Sequence, residues 1–222
     1  MSFISLVKIA KTGVINSAGT SNLNFYMLTS YLFITAFSLL LILLVNRNFI
    51  IGNNLESYKF KAETDPLTGV LSREAGINHM KNEMTRSVLK GHPMTIAYVD
   101  VNELKRVNDH YGHKEGDKLI RTITDIIQSN LREFDVIARL GGDEFLLVFA
   151  RCNEDLANKV WRRINDEFLQ VNIQGVHRFR LSASVGFVQY NASKHRNSTD
   201  LLHEADEKMY IHKKHSKEKV KM

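Results

Sequence analysis

Two adjacent glycines, Gly141 and Gly142, are followed directly by two acids, Asp143 and Glu144. The runs on either side are apolar and have the length of β-strands: residues 136–138 and 145–150. Paired glycines can supply the positive φ angles of a tight connection, and they leave the backbone open to an approaching ligand. The stretch therefore predicts a β-hairpin that carries two carboxylates at its tip.

The acids at this tip have two interpretations, and further ligands decide between them. Turns favour polar residues in general, so a solvated loop explains the pair. Carboxylate oxygens are also the ligands of hard cations, so the pair is typical of a magnesium site that carries a nucleotide's phosphates. Asp100 is a converging ligand that favours the second interpretation, since it ends a β-rich run at residues 95–99.

A helical pattern separates the two acidic stretches, with apolar residues three and four apart from about Glu115 to Leu131. A strand, a helix and a strand in succession form a right-handed crossover, which can place the two strands side by side. We therefore predict that the strand before this helix lies beside the strand after it. That arrangement brings Asp100 toward Asp143 and Glu144.

The hairpin stretch resembles the signature of the GGDEF family of diguanylate cyclases, and four further motifs resemble those of the family in the same order. They are an opening motif, a nucleotide-binding stretch, a late strand and a closing helix, at residues 65–73, 100–117, 184–186 and 205–213. The resemblance covers roughly Asp65 to Lys217. Five motifs in the family's order make coincidence implausible.

The resemblance implies an α/β (α+β) domain of the nucleotidyl-cyclase type, a ferredoxin-like palm with a mostly antiparallel central sheet flanked by helices. The order of apolar patterns agrees with this fold, and Ser72 is a suitable cap for the first helix. Trp161 and Ile164 are predicted to lie in the core. Besides the hairpin, the predicted elements are helices at 73–90, 115–131, 154–168 and 199–214 and strands at 93–100 and 180–188.

Residues 25–45 carry no charged side chain and are rich in Leu, Ile and Phe. About 20 such residues cross a membrane as a helix, so we predict one transmembrane helix. A buried core helix and a signal peptide are the alternatives, and a signal peptide fits poorly because no small-residue cleavage site follows. The flanking positive charges nearly balance: Lys8 and Lys11 before the run, and Arg47, Lys59 and Lys61 after it. The charges therefore do not decide the orientation of the helix in the membrane. We infer the orientation from the expected substrate instead, because a domain that uses GTP must face the cytosol.

The predicted location is thus the inner (cytoplasmic) membrane of a bacterial cell, with a single pass. The chain divides into a short N-terminal segment at 1–24, the transmembrane helix at 25–45, a connector at 46–64, the GGDEF domain at 65–217 and a basic tail at 218–222. Cys152 is the only cysteine, which excludes a disulfide within the chain and a metal site built on thiolates.

Phosphoryl transfer depends mainly on positioning and charge neutralisation, so carboxylates are expected to hold magnesium, or manganese in its place. By resemblance, the metal ligands are Asp100, the main-chain carbonyl of Val101, Asp143 and Glu144. Glu144 is either a ligand or the group that helps to deprotonate the attacking 3′-hydroxyl. Asp143 and Glu144 are therefore the catalytic candidates, and the sequence leaves open which acid takes which role.

Asn108 and Asp117 match the pair that reads guanine in the family. A carboxylate can accept from the N1 and N2 donors of guanine while an amide meets an adjacent edge, a pattern that adenine lacks. The alternative for Asn108 is an ordinary turn or cap, and Gly112 and Gly116 are expected to permit sharp turns. The resemblance adds further substrate contacts at Leu104, Lys105, Gly141, Gly142, Lys213 and Lys217.

The chain departs from the family's usual residues at several positions. His212 stands where a small residue is usual, and Ser216 where glycine is usual. Lys217 stands where arginine is frequent, and lysine lacks the bidentate fork of arginine. A solvated run of lysines is the alternative interpretation of this tail. Milder departures, none of which removes a proposed metal ligand, are Ser72, Asn102 and Leu104.

Arg132 and Asp135 match the Arg-x-x-Asp motif that forms the inhibitory product site of the family, at the family's offset from the glycines. The alternative is a helix-surface ion pair at a spacing of three, which contributes about 0.2 to 0.5 kcal/mol. The family site implies that bound cyclic di-GMP holds two domains away from their productive arrangement.

Three classes of function follow from these features. The first is an enzyme that condenses two GTP into cyclic di-GMP across a homodimer, and the second is a weak or silent GGDEF domain that acts as a receptor for GTP or cyclic di-GMP. A net charge of +6 suggests the third class, a basic membrane-anchored module. The charge is spread and lacks interleaved aromatic residues, so nucleic acid is not an expected partner. The enzyme is preferred, and a separate sensor protein is left open as a partner.

Overall fold

The computed structural model describes residues 27–47 and 63–221, with side chains described up to His215. These residues belong to two units, Met1–Tyr58 and Lys59–Met222. The predicted N-terminal segment and residues 48–62 of the predicted connector lie outside the described residues.

In the first unit, helix α1 (Met27–Arg47) has a mean hydropathy of 2.4 and exposed side chains throughout. Its length and composition suit a membrane span. A signal sequence near an N-terminus meets the same criterion, so the transmembrane helix and the inner-membrane location stay predictions.

The second unit is an antiparallel four-stranded sheet with helices on both faces. Its strands are β1 (Thr95–Val101), β2 (Val136–Gly141), β3 (Glu144–Phe149) and β4 (Ala183–Gln189), in the order β2-β3-β1-β4. Its helices are α2 (Arg73–Lys90), α3 (Leu104–Tyr111), α4 (His113–Asn130), α5 (Glu154–Gln174) and α6 (Ser198–Lys221). All three neighbouring strand pairs are antiparallel. The predicted ferredoxin-like fold is therefore confirmed.

The prediction that the strands before and after the long helix lie side by side is wrong. Strand β3 lies between β1 and β2 and pairs with both of them. The crossover, built from α3 and α4, spans two strand spacings of about 4.8 Å each instead of one. The second strand of the hairpin, β3, occupies the position between them. The hairpin acids therefore lie near Asp100 because β3, and not β2, pairs with β1.

Several element boundaries differ from those expected. Ser72 caps α2 as predicted, because its side chain accepts a hydrogen bond from the Ala75 amide. Helix α5 continues to Gln174, beyond the expected Phe168, and ends at Gly175 in the left-handed conformation. Strand β4 begins later than expected because the Asn172 side chain binds both the amide and the carbonyl of Leu181, at 2.7 and 2.8 Å.

Alternation along β1 divides the core between the two faces of the sheet. Ala97, Val99 and Val101 pack with residues of α4 and α5, and Trp161 and Ile164 lie in this core as predicted. Ile96 and Tyr98 face the opposite side, in the core formed with α2 and α6. Since every second residue of a strand shares a face, Asp100 also lies on the side of α2 and α6.

Candidate active site

Asp100 and Glu144 are direct partners in the register of β1 and β3. Opposed residues of an antiparallel pair share a face, with Cβ atoms about 5 Å apart. Asp100 is buried, with 6% of its surface exposed. Its carboxylate forms an ion pair with Lys213 of α6, whose Nζ lies 2.6 Å from Oδ1. The structure thus brings two carboxylates and one ammonium together at the end of β1.

Asp143 lies at the tip of the hairpin and is half-buried. Its main-chain carbonyl accepts a hydrogen bond of 2.9 Å from the amide of Val101. This bond ties the tip of the hairpin to the residue that follows Asp100. The four predicted metal ligands therefore lie around one corner of the sheet.

The donors at this corner are hard oxygens, which suit magnesium or manganese. Among the described residues, no three His, Cys, Asp or Glu side chains already form a metal-binding group. Magnesium in nucleotide sites is held by one or two carboxylates together with substrate phosphates and water. A pair of opposed carboxylates beside an open turn fits that pattern, so the residues present fit the ion.

The two glycines of the turn behave differently from the expectation. Neither Gly141 nor Gly142 adopts a left-handed φ, and a shift in register between Arg139 and Gly141 completes the connection instead. The backbone is open as expected, because a Cβ on Gly142 would meet no atom within 4 Å. The turn is therefore accessible to a ligand, which is the second role predicted for the glycines.

Arg139 is a residue to which the sequence analysis assigned no role. Its Nε and Nη2 atoms donate to the carbonyl of Gly142, at 3.1 and 2.7 Å, while Nη1 pairs with Asp65 at 3.1 Å. Burial opposes the ionisation of Asp65, but hydrogen bonds from Thr68 and Arg139 outweigh it and lower the pKa of this carboxyl. Arg139 therefore ties the glycine turn to the loop of the opening motif.

Tyr98 is a second residue that the sequence analysis missed. Burial, followed by the charges of Glu144 and Asp206 and by hydrogen bonding with Glu144, raises the pKa of Tyr98 above its ordinary value. The hydroxyl therefore stays protonated and can donate to the Glu144 carboxylate. The available signal was its position two residues before Asp100, which places both side chains on one face of β1.

Asn108 and Asp117 lie on two helices joined at Gly112, whose φ is 83°. Asn108 belongs to α3, so its alternative interpretation as a turn residue is wrong. Gly116 is also helical and not a turn as expected; a Cβ there would lie 1.8 Å from the Asn108 Oδ1 atom. Because Gly116 has no side chain, the Asn108 amide can pack against α4 at this position. Asp117, the next residue of α4, is exposed.

The remaining substrate candidates lie on α3 and α6. Lys105 is exposed, and Leu104 is half-buried against the core. His212, one of the departures from the family, uses Nδ1 to accept a hydrogen bond of 3.3 Å from the amide of Val185. Lys213 contacts Asp100, whereas the side chain of Lys217 lies outside the described residues.

Arg132 and Asp135 lie in a turn after α4, so the interpretation as a helix-surface pair is wrong. The Asp135 carboxylate accepts from the amides of Arg132 and Ala150, both at 3.2 Å. Burial raises the pKa of Asp135 against the effect of these bonds. The Arg132 side chain is exposed beside this anchored turn.

Two surface depressions of about 500 Å³ lie at the opposite end of the sheet, around Val88 and Tyr190. In the register of β1 and β4, Gln189 opposes Thr95, whereas Ser184 opposes Asp100. The acidic corner is thus separated from both depressions by most of the length of β1. We assign the site by its chemistry, since neither depression contains a carboxylate.

This chain is similar to known proteins. A family model described as diguanylate cyclase, GGDEF domain, matches residues 62–219. Diguanylate cyclase DosC of Escherichia coli (strain K12) is 29% identical over 160 residues, which cover 71% of this chain and 34% of that protein. Diguanylate cyclase DgcS of Shewanella oneidensis is 31% identical over 156 residues, which cover 70% of this chain and 51% of that protein.

A solved microbial GGDEF domain, studied for its interaction mode with bis-(3,5)-cyclic di-GMP, has 28% sequence identity and a TM-score of 0.62. The match covers 70% of this chain and 93% of that one. The chain spans about a third to a half of the length of the two curated relatives, at 34% and 51%.

Proposed function

The chain belongs to the GGDEF diguanylate cyclase family, and we propose from this membership that it condenses two GTP into cyclic di-GMP and releases two pyrophosphates. The observation that carries the proposal is the Asp100–Glu144 register pair, with Asp143 bonded beside it through its main chain. A silent receptor of this family normally has a broken hairpin motif, and all of the acids are intact here.

In the proposed reaction, Asp100, Asp143, Glu144 and the Val101 carbonyl hold the divalent metal, which neutralises phosphate charge when it is bound. Lys105 and Lys213 bind the triphosphate of GTP, with Lys217 as a further candidate. Asn108 and Asp117 hold the guanine, while the open backbone of Gly141 and Gly142 lets the phosphates approach. One hairpin acid helps to remove the proton of the 3′-hydroxyl that attacks the α-phosphorus.

Tyr98 and Arg139 are positioning residues in this proposal. The protonated hydroxyl of Tyr98 interacts with Glu144 and restricts where that carboxylate can point. Arg139 fixes the Gly142 carbonyl, and therefore the turn that follows β2. Both support the electrostatic preorganisation on which phosphoryl transfer depends.

The experiment that tests the function is incubation of the full chain with GTP and magnesium, followed by mass spectrometry of the nucleotides. Formation of cyclic di-GMP and pyrophosphate is expected. If GTP or cyclic di-GMP binds but no product forms, the receptor function replaces the enzyme.

Catalysis by a homodimer is the arrangement proposed for this site. Each domain is expected to hold one GTP, and the product joins two nucleotides symmetrically, so two sites must face each other. An open corner suits this arrangement better than an enclosed pocket. The proposed membrane span of α1, with the GGDEF domain in the cytosol, confines the subunits to a plane and raises their encounter probability.

Dilution of the unit Lys59–Met222 is expected to lower its specific activity. Below the dimer dissociation constant, the dimer fraction is proportional to protein concentration, so tenfold dilution lowers specific activity by roughly tenfold. Activity and light scattering are measured on the same dilution series. A specific activity that stays constant while only monomer is present contradicts the dimer.

Feedback inhibition by cyclic di-GMP is proposed for Arg132 and Asp135. The exposed guanidinium of Arg132 can meet the O6 and N7 acceptors of guanine bidentately. Asp135 anchors the turn through two backbone amides and is a further candidate contact for the guanine donors.

Arg132→Ala is expected to abolish this inhibition while preserving the initial rate. Inhibition of the wild type in the micromolar range corresponds to roughly 8 kcal/mol of binding. Progress curves with added cyclic di-GMP measure the effect, with Arg178→Ala as the matched control at another exposed arginine. Identical curves for the wild type and Arg132→Ala show that the motif is not an inhibitory site.

A further inference from the structure

The contact between Lys213 and Asp100 joins a proposed phosphate ligand to a proposed metal ligand. The two atoms lie 2.6 Å apart, and the side chains are 27% and 9% exposed, respectively. A carboxylate this far buried needs a cationic or hydrogen-bonding partner, since unpaired burial of a charge is costly. Lys213 neutralises the Asp100 oxygen that a divalent metal requires.

We propose that Lys213 is an internal counter-cation that competes with the divalent metal for Asp100 until a triphosphate arrives. This inference rests on the proposed function and adds a regulation of metal binding to it. The flexible stem of lysine lets the ammonium leave the carboxylate for the phosphates. Binding of metal and binding of nucleotide therefore favour each other, because the nucleotide removes the competitor of the metal.

The Lys213–Asp100 contact is not needed to hold α6 on the sheet. Lys208 donates to the carbonyl of Phe187 at 2.8 Å, and His212 accepts from the amide of Val185. Gly186 packs so closely that a Cβ there would lie 2.1 Å from the Ala205 carbonyl oxygen. Helix α6 is thus fixed along β4 by three other contacts, and Lys213 can change its partner without undocking the helix.

The charge of Lys213 can be removed with a matched control on the next residue. Lys213→Met keeps the length of the aliphatic stem and removes the ammonium. Lys214→Met makes the same change in net charge at an exposed lysine whose Nζ lies 4.5 Å from the centre of the Tyr210 ring. A difference between the two variants therefore reports the contact with Asp100 and not the total charge.

The test is titration of the full chain with manganese in the absence of nucleotide, with free manganese measured by electron paramagnetic resonance. Lys213→Met is expected to bind manganese roughly tenfold more tightly than the wild type, in the range typical of coupling between two ligands. Lys214→Met is expected to match the wild type, and Asp100→Asn to lose the tight site. Circular dichroism melts check that each variant is folded.

A second titration includes a non-hydrolysable GTP analogue. The analogue is expected to tighten manganese binding in the wild type, and to do so less in Lys213→Met, where the competitor is already absent. Equal or weaker manganese binding by Lys213→Met without nucleotide overturns the inference while the metal site stands. If no form of the protein binds manganese even with the analogue, the proposed metal-dependent function fails as well.

Discussion

Asp100→Asn is expected to lower the rate of cyclic di-GMP formation by at least about a thousandfold. Loss of a metal-binding carboxylate removes several kcal/mol of charge stabilisation from the transition state, and each 1.36 kcal/mol is about a factor of ten in rate. The substitution preserves the size of the side chain, so the strand pairing of β1 with β3 is retained. Product formation is measured by mass spectrometry at saturating GTP and magnesium.

Asp143→Asn is expected to have an effect of the same order, because Asp143 is also a proposed ligand. The hydrogen bond between its main-chain carbonyl and Val101 does not involve the side chain and therefore persists in the variant. The matched control is Asp125→Asn, which neutralises an exposed acid on α4. An active Asp100→Asn/Asp143→Asn double variant ends the metal-site hypothesis.

A variant that loses activity only because it unfolds is recognised by a lowered melting temperature. Asp100→Asn leaves Lys213 without its carboxylate, but the lysine side chain is 27% exposed and can turn toward water. We therefore expect a modest loss of stability beside a nearly complete loss of activity. A large drop in melting temperature would assign the lost activity to the fold instead.

The elements that the sequence predicted well are those set by local patterns. Apolar spacing predicted α2, α4, α5 and α6 but not the short helix α3, and the Ser72 cap and the end of α2 near Lys90 were placed by local chemistry. These features depend on residues within a few positions of one another.

The features that the sequence analysis missed depend on residues far apart in the chain. A crossover pattern fixes that two strands are parallel, but not whether a third strand lies between them, as β3 does here. The Arg139 bridge to Asp65 joins residues 74 positions apart, and no local pattern predicts such a pair. The ion pair of Lys213 with Asp100 spans 113 positions and depends on where α6 packs. The roles of these residues in catalysis stay predictions.

Nucleotide selectivity is expected to come from the corner between α3 and α4. A site that hydrogen-bonds one base leaves buried polar groups unpaired when another base enters, and such sites discriminate by about 10⁴-fold or more. We therefore expect kcat/KM for ATP to be lower than that for GTP by roughly 10⁴-fold. Asp117→Ala should reduce this ratio, because the carboxylate that accepts from the guanine N1 and N2 donors is lost.

Gly116→Ala tests the same site without removing either base-reading side chain. Its new methyl group would lie 1.8 Å from Oδ1 and 2.8 Å from Cγ of Asn108, so the amide must move away from its place against residue 116. Because misplacement of about 1 Å can cost roughly a hundredfold in rate, kcat/KM for GTP should fall by about that factor. The rate with ATP should change much less, so the selectivity ratio falls.

Asp109→Ala, at an exposed position on α3, is the control and should leave the ratio unchanged. Equal turnover of ATP and GTP by the wild type would show that the protein does not select guanine, and an unchanged ratio in Gly116→Ala would place guanine recognition elsewhere in the protein.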